Sequence, residues 1–452
     1  MESTYGIISL LPVIVVITTA IITRRTVESL IIGALVGYVI LYKGSFFTEF
    51  LYGFSGVIAE NSRYILVFGF FGMVIVLLEK SGGALGFGDW GAKFCKTRGM
   101  TVLITWILGI LVFIDDYLNN LGVGTAMRTI SDKNKVAREF LAYVINSTGA
   151  CVCVLVPMSS WAIFMMGIYD NVEVAGADGT SYSAYLGTIP FMLYAWIAII
   201  LVPLFGFKII PTWGKMKEAW IRAENGDVYS EYYHQNNVTD IQGYEEIKKS
   251  SPWNFFIPMA ALIAITLWKN DILIGMAVGF VVCLILYIPQ KLMTIGQFCD
   301  YSLEGFKSMV LVTAIVISAF VLQKANSELG LTEYVISVAE PVMTPALLPV
   351  ISFVICSFIA MCTGSFWGTM AISSPILIPL GLTLGVNPLL VGGTIVSAGA
   401  FGSHACFYGD AVTLASAVTG ISNNEYMRKV LPLLVLPFAL TIVGFLILGF
   451  AM

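Results

Sequence analysis

The chain has 452 residues, of which 58% are hydrophobic and 12% charged, with a net charge of -4 and a mean hydropathy of +0.87. A soluble domain carries roughly 25% charged residues, so this composition excludes an ordinary cytosolic enzyme. With no block of basic residues, it also excludes nucleic acid as a partner. The partner implied is the lipid bilayer.

The apolar residues form continuous runs of about 17 to 25, each long enough to cross the hydrocarbon core as a helix. A barrel would alternate in ~10-residue segments, so an all-α polytopic membrane protein is predicted. The first run, 7–22, follows MESTYG and precedes Arg24 and Arg25. That order is the reverse of a signal peptide and predicts an uncleaved helix with its N-terminus outside. The eight cysteines include no C-x-x-C and lie mostly in apolar runs, so neither disulfides nor structural zinc is expected.

Crossings are expected at 7–23, 27–43 and 63–79, followed by an interrupted segment 101–127, a broken crossing 139–168 and a crossing 183–206. In 101–127 the stretch TVLITWILGILVFI stops at Asp115 and Asp116, and the chain is apolar again beyond Asn120. A re-entrant hairpin with its tip at 115–120 fits that pattern. Self-comparison then finds three collinear matches: LIIGALVGY (30–38) with ILIGMAVGF (272–280), LEKSGGALGFGDW (78–90) with LQKANSELGLTEY (322–334), and STGA (147–150) with SAGA (397–400). The chain therefore reads as two copies, 1–207 and 254–452, joined by a cytoplasmic linker, 208–253, that looks solvated. Five crossings plus one re-entrant hairpin per copy is an odd number, which makes the repeats inverted. Charge agrees: of the 24 Lys and Arg, only Lys43, Arg63, Lys269 and Lys324 fall outside on this topology. Both termini are then outside.

Four segments carry chemistry. In FIDDYLNNLGVGTAMR (113–128) two adjacent aspartates end an apolar run, and Asn119 and Asn120 add carbonyl oxygens. Such carboxylates usually face a watery cavity or a cation, and oxygen ligands suit a hard cation such as Na⁺. The alternative is a pair at the membrane surface capping a helix from Tyr117. In NSTGACVCVLVPMSSW (146–161), Ser, Thr, Gly and Pro157 interrupt a crossing, exposing backbone dipoles to ligands or simply permitting close packing. Asn146, Ser159 and Ser160 are its candidates. In the second copy CTGSFWGTM (362–370) holds the tip position, with Thr363 and Ser365 in place of the acidic pair. SAGAFGSHACFYGDAVTLASA (397–417) holds the broken crossing, with His404 and Asp410. His404 is either a proton acceptor or a neutral hydrogen-bonding residue.

Together these four segments resemble the signatures of the NhaC-type Na⁺/H⁺ antiporter family, within the ion transporter superfamily. The resemblance implies inverted repeats, each with a re-entrant hairpin and a discontinuous helix, working as an elevator, and a homodimer. Carried over by motif, it places Asp115, Asp116, Asn119 and Asn120 at the first tip, and Asn146, Ser147, Thr148, Ser159, Ser160 and Trp161 at the first broken helix. Thr363, Ser365, Trp367 and Thr369 fall at the second tip, and Ser403, His404 and Asp410 at the second break. Na⁺ is expected at Asp115, Asp116, Asn120 and Asn146. Family members often carry a GDHxSPxSD-like stretch where this chain has GSHACFYGD, so Ser403 replaces an acid beside His404.

Two functions compete. One is Na⁺/H⁺ antiport by alternating access, with cation and proton sharing the aspartate site; burial and a neighbouring carboxylate both favour such proton linkage. The other is a Na⁺- or H⁺-coupled carrier of an amino acid or small carboxylate, held by half-helix N-termini and contacted by Trp161, Phe366 and Trp367. An enzyme is not expected, since the chain has no H-E-x-x-H, G-x-S-x-G or P-loop motif. No cofactor is expected beyond Na⁺ as the transported or coupling ion.

Overall fold

A computed structural model describes residues 5–23, 25–83, 85–86, 94–236, 249–269, 271–339, 344–406 and 409–451. Arg24, Lys93, Glu340, most of GGALGFGDW and the linker residues 237–248 lie outside the described residues. Every regular element described is helical, as a chain in lipid requires when each backbone N–H and C=O must find its partner internally.

Among the described residues, seven helices are long and apolar enough to cross a bilayer, or eight if the bent pair Ser181–Phe191 and Leu193–Gly206 counts as one span. Ten crossings were expected, but Gly6–Ala20, Trp253–Lys269 and Ile272–Tyr287 are apolar helices of only 10–17 residues. Two helices, Phe46–Glu60 and Ile295–Ser308, were not expected at all. The first buries Phe50, Gly53 and Val57 on one face while Phe47, Leu51 and Tyr52 stay exposed, an amphipathic 3.6-residue pattern that a search for uniform apolar runs passes over.

Eight helices carry the site. In chain order they are α1 (Arg98–Leu111), α2 (Asp116–Lys133), α3 (Arg138–Leu155), α4 (Ser160–Asn171), α5 (Leu348–Thr363), α6 (Phe366–Thr383), α7 (Pro388–Ala405) and α8 (Asp410–Thr419). The starts of α5, α6, α7 and α8 each fall 250 residues after those of α1, α2, α3 and α4. Helices α1–α8 pack with Leu193–Gly206 and Leu431–Ala451, whereas Thr26–Tyr42, Ser62–Lys80, Ile272–Tyr287, Ile295–Ser308 and Val310–Glu328 form a second packed group. The groups meet where Val310–Glu328 lies on α6 and Ser62–Lys80 on α4. Within the second group, Gly72 and Gly305 permit a backbone-to-backbone crossing: a Cβ on either would lie 2.1 or 2.2 Å from the other's carbonyl oxygen.

The linker is not a solvated connection where it is described. Helix Gly214–Glu224 buries Met216, Ala219 and Trp220, and Trp220 meets Phe140 edge-on at 4.5 Å. Arg222 clamps the fully buried Glu139 at 2.9 and 3.0 Å, and Lys429 reaches the same carboxylate at 2.7 Å. Arg138 pairs with Asp132 at 2.8 Å and stacks under Tyr229 and Tyr233. The linker's content of Glu, Lys, Asn and Tyr suggested solvent; in the fold Arg222 pairs with Glu139 at the start of α3 and Glu224 with Arg98 at the start of α1.

Candidate functional site

Each hairpin turns by its own device. In the second, Gly364 adopts φ +68 and Ser365 caps α6 by accepting from Gly368 N at 3.0 Å. The left-handed backbone there is open to glycine at little cost. The first hairpin has no such glycine. Instead the Asn119 amide donates to Gly109 O at 2.6 Å and Val112 O at 2.9 Å, tying α2 to the end of α1. The break is therefore 112–115, earlier than the expected tip at 115–120, because Asp116, Asn119 and Asn120 already belong to α2.

Asp115 makes the cap that the alternative reading expected, but the pair is buried. Asp115 is a helix cap, its Oδ1 accepting from Tyr117 N at 2.9 Å and Leu118 N at 3.4 Å, yet it is only 4% exposed. Its other oxygen accepts from Ser160 Oγ at 3.3 Å, joining the first tip to the start of α4. Asp116 is 1% exposed, and neither carboxylate oxygen has a hydrogen-bond partner among the described residues. The Trp161 indole N–H, also unpartnered, lies beside it. Asn120 Oδ1 and Asn146 Oδ1 are likewise buried and unpartnered, while Asn120 Nδ2 holds Asp116 O at 2.9 Å. Three of the four residues expected to hold Na⁺ thus carry buried oxygens with no donor, a costly state unless something charged meets them. Among the described residues no group of three or more His, Cys, Asp or Glu is placed to hold a metal, so a cation here depends on amide oxygens as well as on the acidic pair.

Four helix N-termini converge. Asp115 meets Ser160; the Tyr117 hydroxyl donates to Asp410 at the start of α8; and Trp161 stacks on Phe366 at the start of α6, centroids 3.8 Å apart. Trp367 packs against Trp161 and Phe164. Asp410 and Tyr117 are exposed, whereas Asp115 and Asp116 are buried. Ser159 spends its hydroxyl on Cys153 O and caps α4 through Ala162 N. Thr363 and Thr369 donate to Ile359 O and Ser365 O, so these hydroxyls keep only lone pairs for a ligand.

His404 belongs to a different cluster. It is fully buried, with ring nitrogens 3.0 Å from Ser147 Oγ and 3.1 Å from Tyr194 Oη, and it stacks on Tyr143. Tyr426 binds His404 O at 3.1 Å and accepts from Asn146 at 2.7 Å. Ser403 and Ser397 hydroxyls are buried there without partners. Thr148 donates to Val144 O and Ile145 O in its own helix and reaches Asn119 at 3.5 Å. No hydrogen bond joins His404 to the aspartates, and it is placed as a hydrogen-bonding residue of the α3–α7 contact.

Sequence reasoning missed Tyr117, Tyr143, Tyr194, Tyr426 and Glu79. Glu79, half-buried at the end of Ser62–Lys80, lies near enough to Asp115, Lys80 and Glu304 to feel their charges. Tyr117 sat inside the motif already singled out; the other tyrosines carry no local signal, since only the fold brings them to His404.

Broken helices meeting around buried carboxylates within an apolar helical bundle define a secondary membrane transporter. Two solved transporters share the fold at low identity: MtrF of Neisseria gonorrhoeae, described as one of a class of antimetabolite efflux pumps (TM-score 0.55, 13% identity, 90% of this chain and 85% of that one), and YdaH of Alcanivorax borkumensis (TM-score 0.52, 14% identity, 89% and 87%). The chain belongs to the Na⁺/H⁺ antiporter family, which it matches over residues 152–450. An uncharacterized protein of Haemophilus influenzae is 25% identical over 98% of this chain and 91% of its own length. Shorter matches join it to the malate-2H⁺/Na⁺-lactate antiporter of Bacillus subtilis (29% over 106 residues) and the Na⁺/H⁺ antiporter NhaC of Alkalihalophilus pseudofirmus (25% over 108 residues), each covering 24% of this chain and 23% of the relative.

Proposed function

We propose that the protein exchanges Na⁺ for H⁺ at the Asp115–Asp116 pair. The observation that carries this reading is Asp116, a buried carboxylate with two unpartnered oxygens, one turn from Asn120, whose own oxygen is buried and unpartnered. The electrostatics of the site suit one monovalent charge. Four helix N-termini contribute about two positive charges at roughly half a charge each, against three carboxylates, Asp115, Asp116 and Asp410. Binding one Na⁺ or one H⁺ neutralises the remainder, so the two compete. Competition at one site yields exchange when each form of the site is carried across in turn. The inverted repeat supplies that movement as an elevator, with α1–α8 moving against the group built on Ser62–Lys80 and Val310–Glu328. On this reading the protein resides in the cell membrane with both termini outside.

The test is reconstitution in liposomes carrying a pH-sensitive dye, with a Na⁺ gradient and no organic solute. Proton movement that requires Na⁺ and is lost in Asp116→Asn is expected; Na⁺-independent proton movement, or none, overturns the reading.

A second reading, coupled transport of a small carboxylate, is favoured by the Trp161–Phe366 stack beside the four N-termini and by the short match to an antiporter of malate and lactate. In the same liposomes it requires solute uptake, with proton movement appearing only when the carboxylate is supplied.

A further inference from the structure

Away from the aspartates, a cavity of about 500 Å³ opens where α1 begins, Leu193–Gly206 ends and the linker helix Gly214–Glu224 packs. Its charged lining is Arg98, Lys135, Lys208 and Glu224, with Trp220 as one wall. Glu224 Oε1 takes both Arg98 at 2.8 Å and Lys208 at 2.5 Å, and Lys135 Nζ donates to Glu224 O at 3.3 Å. The hydrogen bond from Lys208 holds the Glu224 carboxyl below its usual range, so it stays ionised at neutral pH. Even so, among the described residues one carboxylate faces three cations, which leaves two positive charges in excess. Arg98 and Lys208 both lie over the Trp220 ring, 5.1 and 5.8 Å from its centroid, which holds their charges at the cavity wall.

Below the cavity the surface becomes apolar along two tracks. Trp196, Ile200 and Phe207 are 42%, 54% and 46% exposed, and at four- and seven-residue spacing they share one face of their helix. Ile107 and Leu111 do the same on α1, and Trp106 Nε1 binds Ile199 O at 3.0 Å, holding the two helices side by side. Phe207 belongs both to an apolar track and to the cavity lining. A cationic cavity placed over apolar helix faces matches a molecule with a phosphate head and hydrocarbon tails, and basic pockets at the ends of membrane helices take such headgroups.

We infer that this cavity binds the headgroup of an anionic phospholipid, with its acyl chains along Trp196, Ile200 and Phe207. The lipid would tie the base of the first hairpin to the docked linker helix. This assignment is independent of the transported substrate. A free phosphate would satisfy the cations but leave the apolar tracks unused.

The experiment uses the purified full-length protein in uncharged detergent, titrated with phosphatidylglycerol, phosphatidylcholine or sn-glycerol 3-phosphate while its melting temperature is followed. The double variant Lys135→Gln/Lys208→Gln changes two exposed side chains, and Lys215→Gln/Lys217→Gln, on the exposed face of the same linker helix, serves as control. Phosphatidylglycerol is expected to raise the melting temperature saturably and phosphatidylcholine is not. The Lys135/Lys208 variant should need about thirtyfold more phosphatidylglycerol, the effect of removing two interfacial cations, while the control titrates as wild type. Equal titration of the Lys135/Lys208 variant and wild type, or an equal loss in the control, overturns the site. An equal shift with glycerol 3-phosphate overturns the lipid and leaves a simple phosphate site.

Discussion

Replacing Asp116 by Asn removes one charge while keeping size and shape. The structure separates what that charge does for the fold from what it does for a ligand. The cap on α2 is made by Asp115, not Asp116, and the bond from Asn120 goes to the backbone oxygen of residue 116, so both survive the change. The lost carboxylate has no hydrogen-bond partner among the described residues. Removing a buried, unpartnered charge relieves its desolvation cost, so without Na⁺ the variant should melt no lower than wild type. With Na⁺ at a hundredfold excess over its dissociation constant, a bound ion stabilises the wild type by about 2.7 kcal/mol. The variant should lose that entire increment. Melting curves in sodium against choline salts, at constant ionic strength, read the difference directly. A sodium-dependent shift of the same size in the variant would place the ion elsewhere, and a collapse of the variant in choline would make Asp116 a structural residue. Asp115→Ala gives the contrast: it should lose both the sodium shift and the cap, the latter costing about 1 kcal/mol.

Other perturbations probe the surrounding structure. Tyr117→Phe deletes the hydroxyl that joins the first tip to Asp410; stability should change by less than about 0.5 kcal/mol, and exchange should slow at fixed sodium affinity, an outcome that unchanged initial rates in liposomes would refute. Glu139→Gln leaves Arg222 and Lys429 facing each other without their shared carboxylate, which should cost about 3–5 kcal/mol in detergent-phase unfolding; a loss under 1 kcal/mol would mean the linker is not held there. Gly109→Ala places a Cβ 2.2 Å from Thr148 Oγ1, so α1 must move off α3 at a cost of about 1–3 kcal/mol. After replacement of the exposed Cys299, new cysteines at 174–180 should react with an impermeant thiol reagent added outside, and those at 225–235 should not; the reverse pattern inverts the topology.

Apolar runs announced the helices because length and hydropathy suffice to choose a helix in lipid. They did not announce Phe46–Glu60 and Ile295–Ser308, whose apolar residues occupy one face only. The burial of the aspartate pair, of the serines of the first break and of Thr363 was legible because a bilayer leaves few reasons for a polar residue to interrupt an apolar run. What sequence did not show is how polar residues are apportioned. Asn119 reads as a carbonyl-oxygen donor at the first tip, and its amide also closes the hairpin; His404 reads as either a proton acceptor or a hydrogen-bonding residue, and its partners come from α3 and Leu193–Gly206. The His404 contacts join residues more than 200 positions apart, which no local pattern encodes, while the Asn119 bonds span only 10 and 7 positions but depend on how the hairpin turns. The linker failed for a related reason: charges look solvated until the opposite charges across the fold are known.

The 250-residue register also corrects how the two copies correspond. Asp115 falls opposite Ser365, not Thr363, and both cap the helix after their tip. Asp116 falls opposite Phe366, and Ser160 opposite Asp410. At this register the second tip carries an aromatic ring where the first carries an acid, and the helix after the second break starts with a carboxylate where that after the first starts with a serine. Phe366 lies flat on Trp161, filling with hydrocarbon the position where a symmetric copy would have carried a second buried carboxylate. Asp410, on the exposed side, is reached by Tyr117 from the first tip. In the proposed exchange this asymmetry limits the site to one cation: two symmetric acidic tips would bring a further uncompensated charge into the bundle, and with it a second ion. Restoring the symmetry with Phe366→Asp should therefore raise the number of sodium ions needed to stabilise the protein, read as a steeper dependence of melting temperature on the logarithm of sodium concentration. An unchanged slope in a folded variant would mean that the second tip has no part in setting the ion count.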